Sequence, residues 1–268
     1  MKKGPSSFKK RLSSYKSGVN EFRLLAKAPL IKYSGKKVVL PDDIVNKIES
    51  HWENLINDGK YFWRGDVFTI TNIKDDSSGI QISVALTDYA HYLATLHEII
   101  DKKYACRVVH SSIVLETSDE YLIFGEMGED TALSGRIQCI GGGITRGDLT
   151  ENGLFINIGK NASTEMAEEV GLFVNNKDHI HKFYPWAIIE SGPQKVIGIV
   201  HWARTPMNLN EFTVHYAKFE KIILEKGDVP EFSRVINVFR RLKNKKEWLN
   251  GMGRKFADHL LIIFDNLQ

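Results

Sequence analysis

Cysteine is scarce in this chain of 268 residues: there are two, Cys106 and Cys139, too few for a disulfide framework and without the paired spacing of a zinc site. Their scarcity points to a reducing compartment, and a cytoplasmic protein is expected. Long apolar runs are also missing. No stretch reaches the roughly 18 apolar residues of a membrane span, and the opening MKKGPSSFKKRLSSYKSG has no apolar segment of signal-peptide length behind its lysines. Neither export nor membrane insertion is expected. One-sided charge is lacking as well, since a net +3 is too small to argue for nucleic acid, although the first 23 residues and Arg240–Lys246 concentrate positive charge. Solvated arms and helix faces account for such clusters. Nucleic acid is therefore an unfavoured partner, though still an open one.

What is present is ordinary globular material, 43% hydrophobic and 26% charged, enough for one large domain or two modest ones. After a basic arm (1–27), residues 41–58 space Ile44, Ile48, Trp52, Leu55 and Ile56 as an amphipathic helix behind Pro41 and Asp42. The β-branched runs 67–73 and 80–86 predict a hairpin, and the segment from Leu86 to Ile100 a helix capped by Thr87 or Asp88. These make a small α+β unit, residues 28–105. A second unit, 106–268, begins with the hairpin 106–117 and 121–127, then strand 136–140 running into Gly141-Gly142-Gly143. Strands are expected at 196–204 and 212–219. Helices are expected at 228–242, with Phe232, Val235, Phe239 and Leu242 on one stripe, and at 254–267.

The segment GKNASTEMAEEVGLF stacks Glu165, Glu168 and Glu169 at i, i+3 and i+4. On a helix these carboxylates share a face, where like charges repel unless water or a cation screens them. Carboxylates so placed can jointly hold a hard cation such as Mg²⁺, which leaves positions for water and phosphate oxygens. A glycine run just after a strand lets backbone approach a ligand closely. Cations near that turn, Arg136, Arg146, Lys160 and Arg204, are candidate phosphate contacts, and ordinary surface charge explains each of them equally well. His201 and His215 read as structural, and Trp186 and Tyr89 as packing rather than base-stacking residues.

Glu165-Met166-Ala167-Glu168-Glu169-Val170-Gly171-Leu172 resembles the second half of the Nudix box, G-x5-E-x7-R-E-U-x-E-E-x-G-U with U apolar, and Gly143 matches its opening glycine. Between Gly143 and Thr164 lie 20 positions where the pattern has 13, so the early glutamate falls at Glu151, and Thr164 replaces the arginine. The resemblance implies an αβα sandwich with a mixed sheet, preceded by the small α+β domain. It also implies Mg²⁺ (Mn²⁺ as an alternative) held by Glu165, Glu168, Glu169 and the Gly143 carbonyl. Gly142 and Gly143 would lie against the substrate. Glu211 is the first choice for a further ligand, ahead of Glu190 and Glu220, and Glu211-Phe212-Thr213-Val214 is similar to a strand of such domains. Residues 83–93 and the lengthened box resemble the animal branch of the family that cleaves UDP-glucose and UDP-galactose. The activity so implied is hydrolysis of a nucleoside diphosphate conjugate, foremost a UDP-sugar, to nucleoside monophosphate and sugar 1-phosphate, with Glu165 or Glu168 as base. ADP-ribose, a dinucleoside polyphosphate or an RNA cap are alternative substrates. A non-catalytic nucleotide-sugar sensor is an alternative role, and a homodimer an alternative assembly.

Overall fold

The computed structural model describes residues 21–60, 62–77, 79–129, 131 and 133–267. The first twenty residues of the basic arm lie outside them. The architecture is α+β, as the sequence leads one to expect, with two sheets. The central strand of the larger sheet is β5 (Val109–Glu116), an almost wholly buried run of apolar and small residues of the kind that is covered on both faces. Along it Ile113 and Leu115 join one apolar cluster and Val114 another, as period-2 side-chain alternation requires. The first cluster takes Ala162, Met166 and Val170 of helix α3 (Ile158–Val170), and the second takes Leu260 and Ile263 of helix α6 (Asp258–Asn266). A sheet between two helical layers results. Each buried Ile, Leu or Phe side chain contributes roughly 1.5–3 kcal/mol to holding it.

Beside β5, strand β10 (Val196–Arg204) runs parallel, from Ile197 opposite Val109 to Arg204 opposite Glu116. Strand β9 (Lys182–Ser191) pairs antiparallel with β10. Its Pro185, which hides it from a reading by propensity, is accommodated where the register shifts between Val200 and His201. On the other side come β6 (Tyr121–Met127), with the short β7 (Ile137–Gln138) and β11 (Phe232–Phe239) paired to it.

Two expected elements are corrected here. The predicted helix 228–242 is instead strand β11. Phe232, Ile236 and Val238 are buried in strand alternation, and the free edge of β6 pairs with them, which outweighs a helical stripe whose Phe239 stays 40% exposed. The predicted strand 212–219 lies inside helix α4 (Leu209–Glu225). Its apparent period-2 pattern fails at Val214, which is 55% exposed. Phe212, Tyr216 and Phe219 follow the helical period instead, behind an Asn208 capping box.

The smaller sheet has the order β3 (Asp66–Asp76), β4 (Gly79–Asp88), β2 (Leu30–Lys37), β8 (Phe155–Ile156). Helices α1 (Asp42–Asn57) and α2 (Tyr89–Leu96) accompany it, with Asp88 capping α2 through the His91 N–H. Its two ends of chain are shared with the larger sheet. Strand β1 (Glu21–Leu24) pairs with β9, while β8 comes from the long stretch after Gly143 and pairs with β2. Ile31, Phe68 and Ile82 also share an apolar cluster with Val109, Ile144 and Ile197. The extra residues behind Gly143 therefore dock one sheet on the other. Helix α5 (Lys245–Gly251), unread in the sequence, packs Leu249 beneath α6. Among the described residues no helix is long and apolar enough to cross a membrane.

Candidate active site

The glycine run leaves the sheet beside β5, where Ile113 N–H donates to the Ile140 carbonyl at 2.7 Å and Ser111 N–H to the Gly142 carbonyl at 3.0 Å. Gly141 has φ +133°, and a Cβ there would stand 2.4 Å from the Ser111 carbonyl oxygen. A Cβ on Gly142 would stand 2.5 Å from Glu165 Oε1. Only glycine lets this backbone lie against the glutamate helix. Helix α3 begins at Asn157, whose side chain accepts from Lys160 N–H, and stops at Gly171, left-handed at φ +69°.

On that helix Glu169 is 3% exposed, with Oε2 accepting from Gly141 N–H at 2.8 Å and Oε1 buried without a hydrogen-bond partner. Glu165 is half-buried and accepts from Asn161 Nδ2 at 3.3 Å. Glu168 is exposed. The sequence reading missed a fourth carboxyl, Glu231, which immediately precedes β11 and whose carbonyl accepts from Gly128 N–H at 2.8 Å. Burial, then the charge of Glu231, then those of Glu168 and Asp148 raise Glu165 to about 7. Burial and Glu231 push Glu169 well above the ordinary carboxylate range, against the Gly141 N–H. Glu231 itself keeps exposed surface, yet burial of its carboxyl and the charge of Glu168 raise it too. Carboxyls crowded like this hold protons unless a cation relieves them.

Among the described residues no three acidic, histidine or cysteine side chains stand together so that they could hold a metal ion as they are placed. The donors are nonetheless all oxygens, one of them buried and unpaired, which suits Mg²⁺ or Mn²⁺ better than a softer ion.

The other expected site residues divide. Gly142 and Gly143 lie at the cluster, with the Gly143 carbonyl accepting from Asn161 Nδ2 at 3.2 Å. Arg146 is paired with Asp66 at 2.5 Å, and Lys160 donates to the Gly147 carbonyl at 2.7 Å, so both cations flank the loop in existing contacts. Arg136 donates to Gln138 at 2.7 Å and has a buried, unpaired Nε. Burial raises Tyr92 against the charge of Arg136, and raises Tyr89 more than the charge of Glu231 does, both on α2, which packs with α1, β3 and β4.

Two expectations fail. Arg204 lies opposite Glu116, five residues along β5 from Ser111 and hence roughly 17 Å from the glycine run. Glu211 is not on a strand: its carboxylate accepts from Asn208 N–H at 2.8 Å and completes the cap of α4. Glu211→Gln is expected to leave Mn²⁺ affinity within about twofold and to cost less than about 1 kcal/mol, checked by titration calorimetry and thermal melts.

Of the remaining residues, Glu151 is exposed in a turn and Thr164 is exposed on α3. The buried carboxylate of the stretch between the glycine run and α3 is Asp148, in the short turn Arg146–Asp148. Glu190 pairs with Arg107, and Glu220 sits on α4 near Tyr216. His201 stacks on Phe183 and is held neutral by burial, its pKa near 4. His215 donates to the Gly171 carbonyl at 3.1 Å, and Trp186 packs edge-on against Trp202.

No family model and no curated protein matches the sequence. Solved structures do. One is DR0079 from Deinococcus radiodurans, 12% identical, covering 60% of this chain and 83% of its own, with a TM-score of 0.40. A second is the NUDIX domain of Shewanella oneidensis NrtR complexed with ADP ribose, 11% identical, covering 67% and 96%, at 0.38. A NUDIX hydrolase from Nitrosomonas europaea is 11% identical over 56% and 93%, at 0.27. These are what the chain is similar to, at identities and scores too low to carry an argument about its chemistry.

Proposed function

We propose that the chain is a Nudix-type pyrophosphohydrolase, dependent on Mg²⁺ or Mn²⁺, that cleaves a nucleoside diphosphate conjugate, foremost a UDP-sugar, into a nucleoside monophosphate and a sugar 1-phosphate. The observation that carries this reading is the placement of Glu165 against Gly142 and of Glu169 on the Gly141 N–H, with Glu169 Oε1 buried and unpaired and the charge of Glu231 bearing on both. Glu165, Glu169, Glu231 and the Gly143 carbonyl would hold the cation, which when bound neutralises a diphosphate and acidifies water.

The chain's own residues supply the rest. Gly142, with no Cβ, lets the Glu165 carboxylate lie directly against the glycine run. Glu168, the exposed carboxylate, stays free to accept the proton of the attacking water while its neighbours are engaged. Arg136 is the cation we assign to the substrate, because its Nε has no internal partner.

The test is product analysis with UDP-glucose, ADP-ribose, a dinucleoside polyphosphate and capped RNA, with and without Mg²⁺. Metal-dependent release of UMP and glucose 1-phosphate is expected. Failure to cleave any conjugate would sink the enzymatic reading. If UDP-glucose nonetheless raised the melting temperature, a sensor would replace it.

A further inference from the structure

Asn161 is 3% exposed and stands one turn ahead of Glu165 on α3. Its Nδ2 lies 3.2 Å from the Gly143 carbonyl, 3.2 Å from Asp148 Oδ2 and 3.3 Å from Glu165 Oε1, while its Oδ1 accepts from Ser111 Oγ at 2.6 Å. The amide can face only one way. Reversed, its oxygen would oppose the Gly143 carbonyl and the Asp148 carboxylate, neither of which donates, and only a protonated Glu165 could serve it. Both anchors are themselves fixed. Ser111 is fully buried on β5 and its N–H donates to Gly142, while Asp148 accepts from Thr145 N–H at 2.8 Å and its carbonyl from Asn157 N–H at 2.8 Å. An NH₂ group has two hydrogens and here meets three acceptors, so one oxygen is always under-served.

We propose that Asn161, locked by Ser111 and Asp148, is the positioning residue of this site: its amide sets the directions of the Gly143 carbonyl and the Glu165 carboxylate that a divalent cation would use. The proposal rests on the reading of the carboxylate cluster as a cation site. It explains why a buried, uncharged amide stands among so many acids. It joins the two chain segments that must act together, the glycine run and the glutamate helix, through one rigid group. An alanine or an aliphatic side chain would leave their relative placement to backbone packing alone.

The experiment compares wild type, Asn161→Leu and Ser111→Ala for binding of Mn²⁺ alone, read as free Mn²⁺ by electron paramagnetic resonance well below each melting temperature. Removing a group that orients metal ligands weakens affinity about 10–100-fold, so at least about tenfold is expected for Asn161→Leu. For Ser111→Ala, which unlocks the amide but keeps its donors, roughly threefold is expected, a smaller share of the same effect. In turnover, kcat should fall while KM stays within about twofold, since no substrate contact is removed. A purely structural role would lower the melting temperature and leave Mn²⁺ affinity alone. Affinity within twofold of wild type in both variants overturns the proposal and leaves the cation site standing. If Asn161→Leu does not fold, Ser111→Ala decides, with unchanged affinity counting against the proposal. Absence of Mn²⁺ binding by wild type would overturn the cation site and this proposal together.

Discussion

Glu169→Gln is expected to lower metal-dependent diphosphate hydrolysis by about a thousandfold, some 4 kcal/mol of transition-state stabilisation, and to raise the melting temperature of the metal-free protein at pH 8. Both effects come from one carboxyl. At 3% exposure, with a single N–H donor on one oxygen and nothing on the other, its negative charge is costly to the fold and available to a cation. Glutamine keeps the shape and an oxygen for the Gly141 N–H. It leaves an NH₂ where an unpaired oxygen was, beside the carboxylates of Glu165 and Glu231, whose charges bear on this position. Glu165 is half-buried rather than fully enclosed, so its replacement should cost less activity. The check is kcat with Mg²⁺ together with calorimetric melts in a chelator. Activity within tenfold of wild type would remove Glu169 from the reaction.

The glutamate helix was legible because each of its signals is local. The i, i+3, i+4 spacing, the apolar Met166 and Val170 between, and the left-handed Gly171 at its end all lie within a few turns. The glycine run was legible because it follows a strand. Glu231 was not. It sits some sixty residues further along the chain than Glu169, and only pairing of β11 with β6 brings it back. Its own segment carries Pro230 and a stripe that imitates a helix, so the segment was read in the wrong period and its glutamate passed over.

The mistake over Glu211 has the same root. The run Phe212-Thr213-Val214 has strand propensity, and what overrides it is tertiary: the Asn208 cap and the burial of Phe212 and Tyr216 against the end of α3. Asn161 gave no signal at all. A polar residue one turn before a glutamate looks solvated until Ser111 and Asp148, on other elements, are seen to enclose it.

The stability of the metal-free protein should carry the mark of this cluster as a function of pH. Glu165 titrates near 7 in the fold against 4.5 as its ordinary value, and Glu169 shifts in the same direction. A carboxyl raised on folding binds its proton more tightly in the native state. Its contribution is fully present below pH 4.5 and is lost as pH rises through the folded value. For Glu165 alone the loss is about 2–3 kcal/mol, at 1.36 kcal/mol per unit and discounted for partial exposure.

Buried histidines act the other way. His201, held near 4, together with His110 and His259, also lowered by burial, favours the fold as pH rises toward 6.5. The total curve therefore hides the effect, and the informative quantity is the difference between wild type and Glu165→Gln in a chelator. That variant should melt at the wild-type temperature, or slightly below it, at pH 4.5. At pH 8 it should melt roughly 5–10 °C above wild type, taking 2–4 °C per kcal/mol for a chain of this size. Mg²⁺ at a hundred times its Kd would return about 2.7 kcal/mol to wild type and close that gap, because the cation takes over the role of the proton. An equal gap at both pH values would mean that Glu165 carries its charge in the fold without cost.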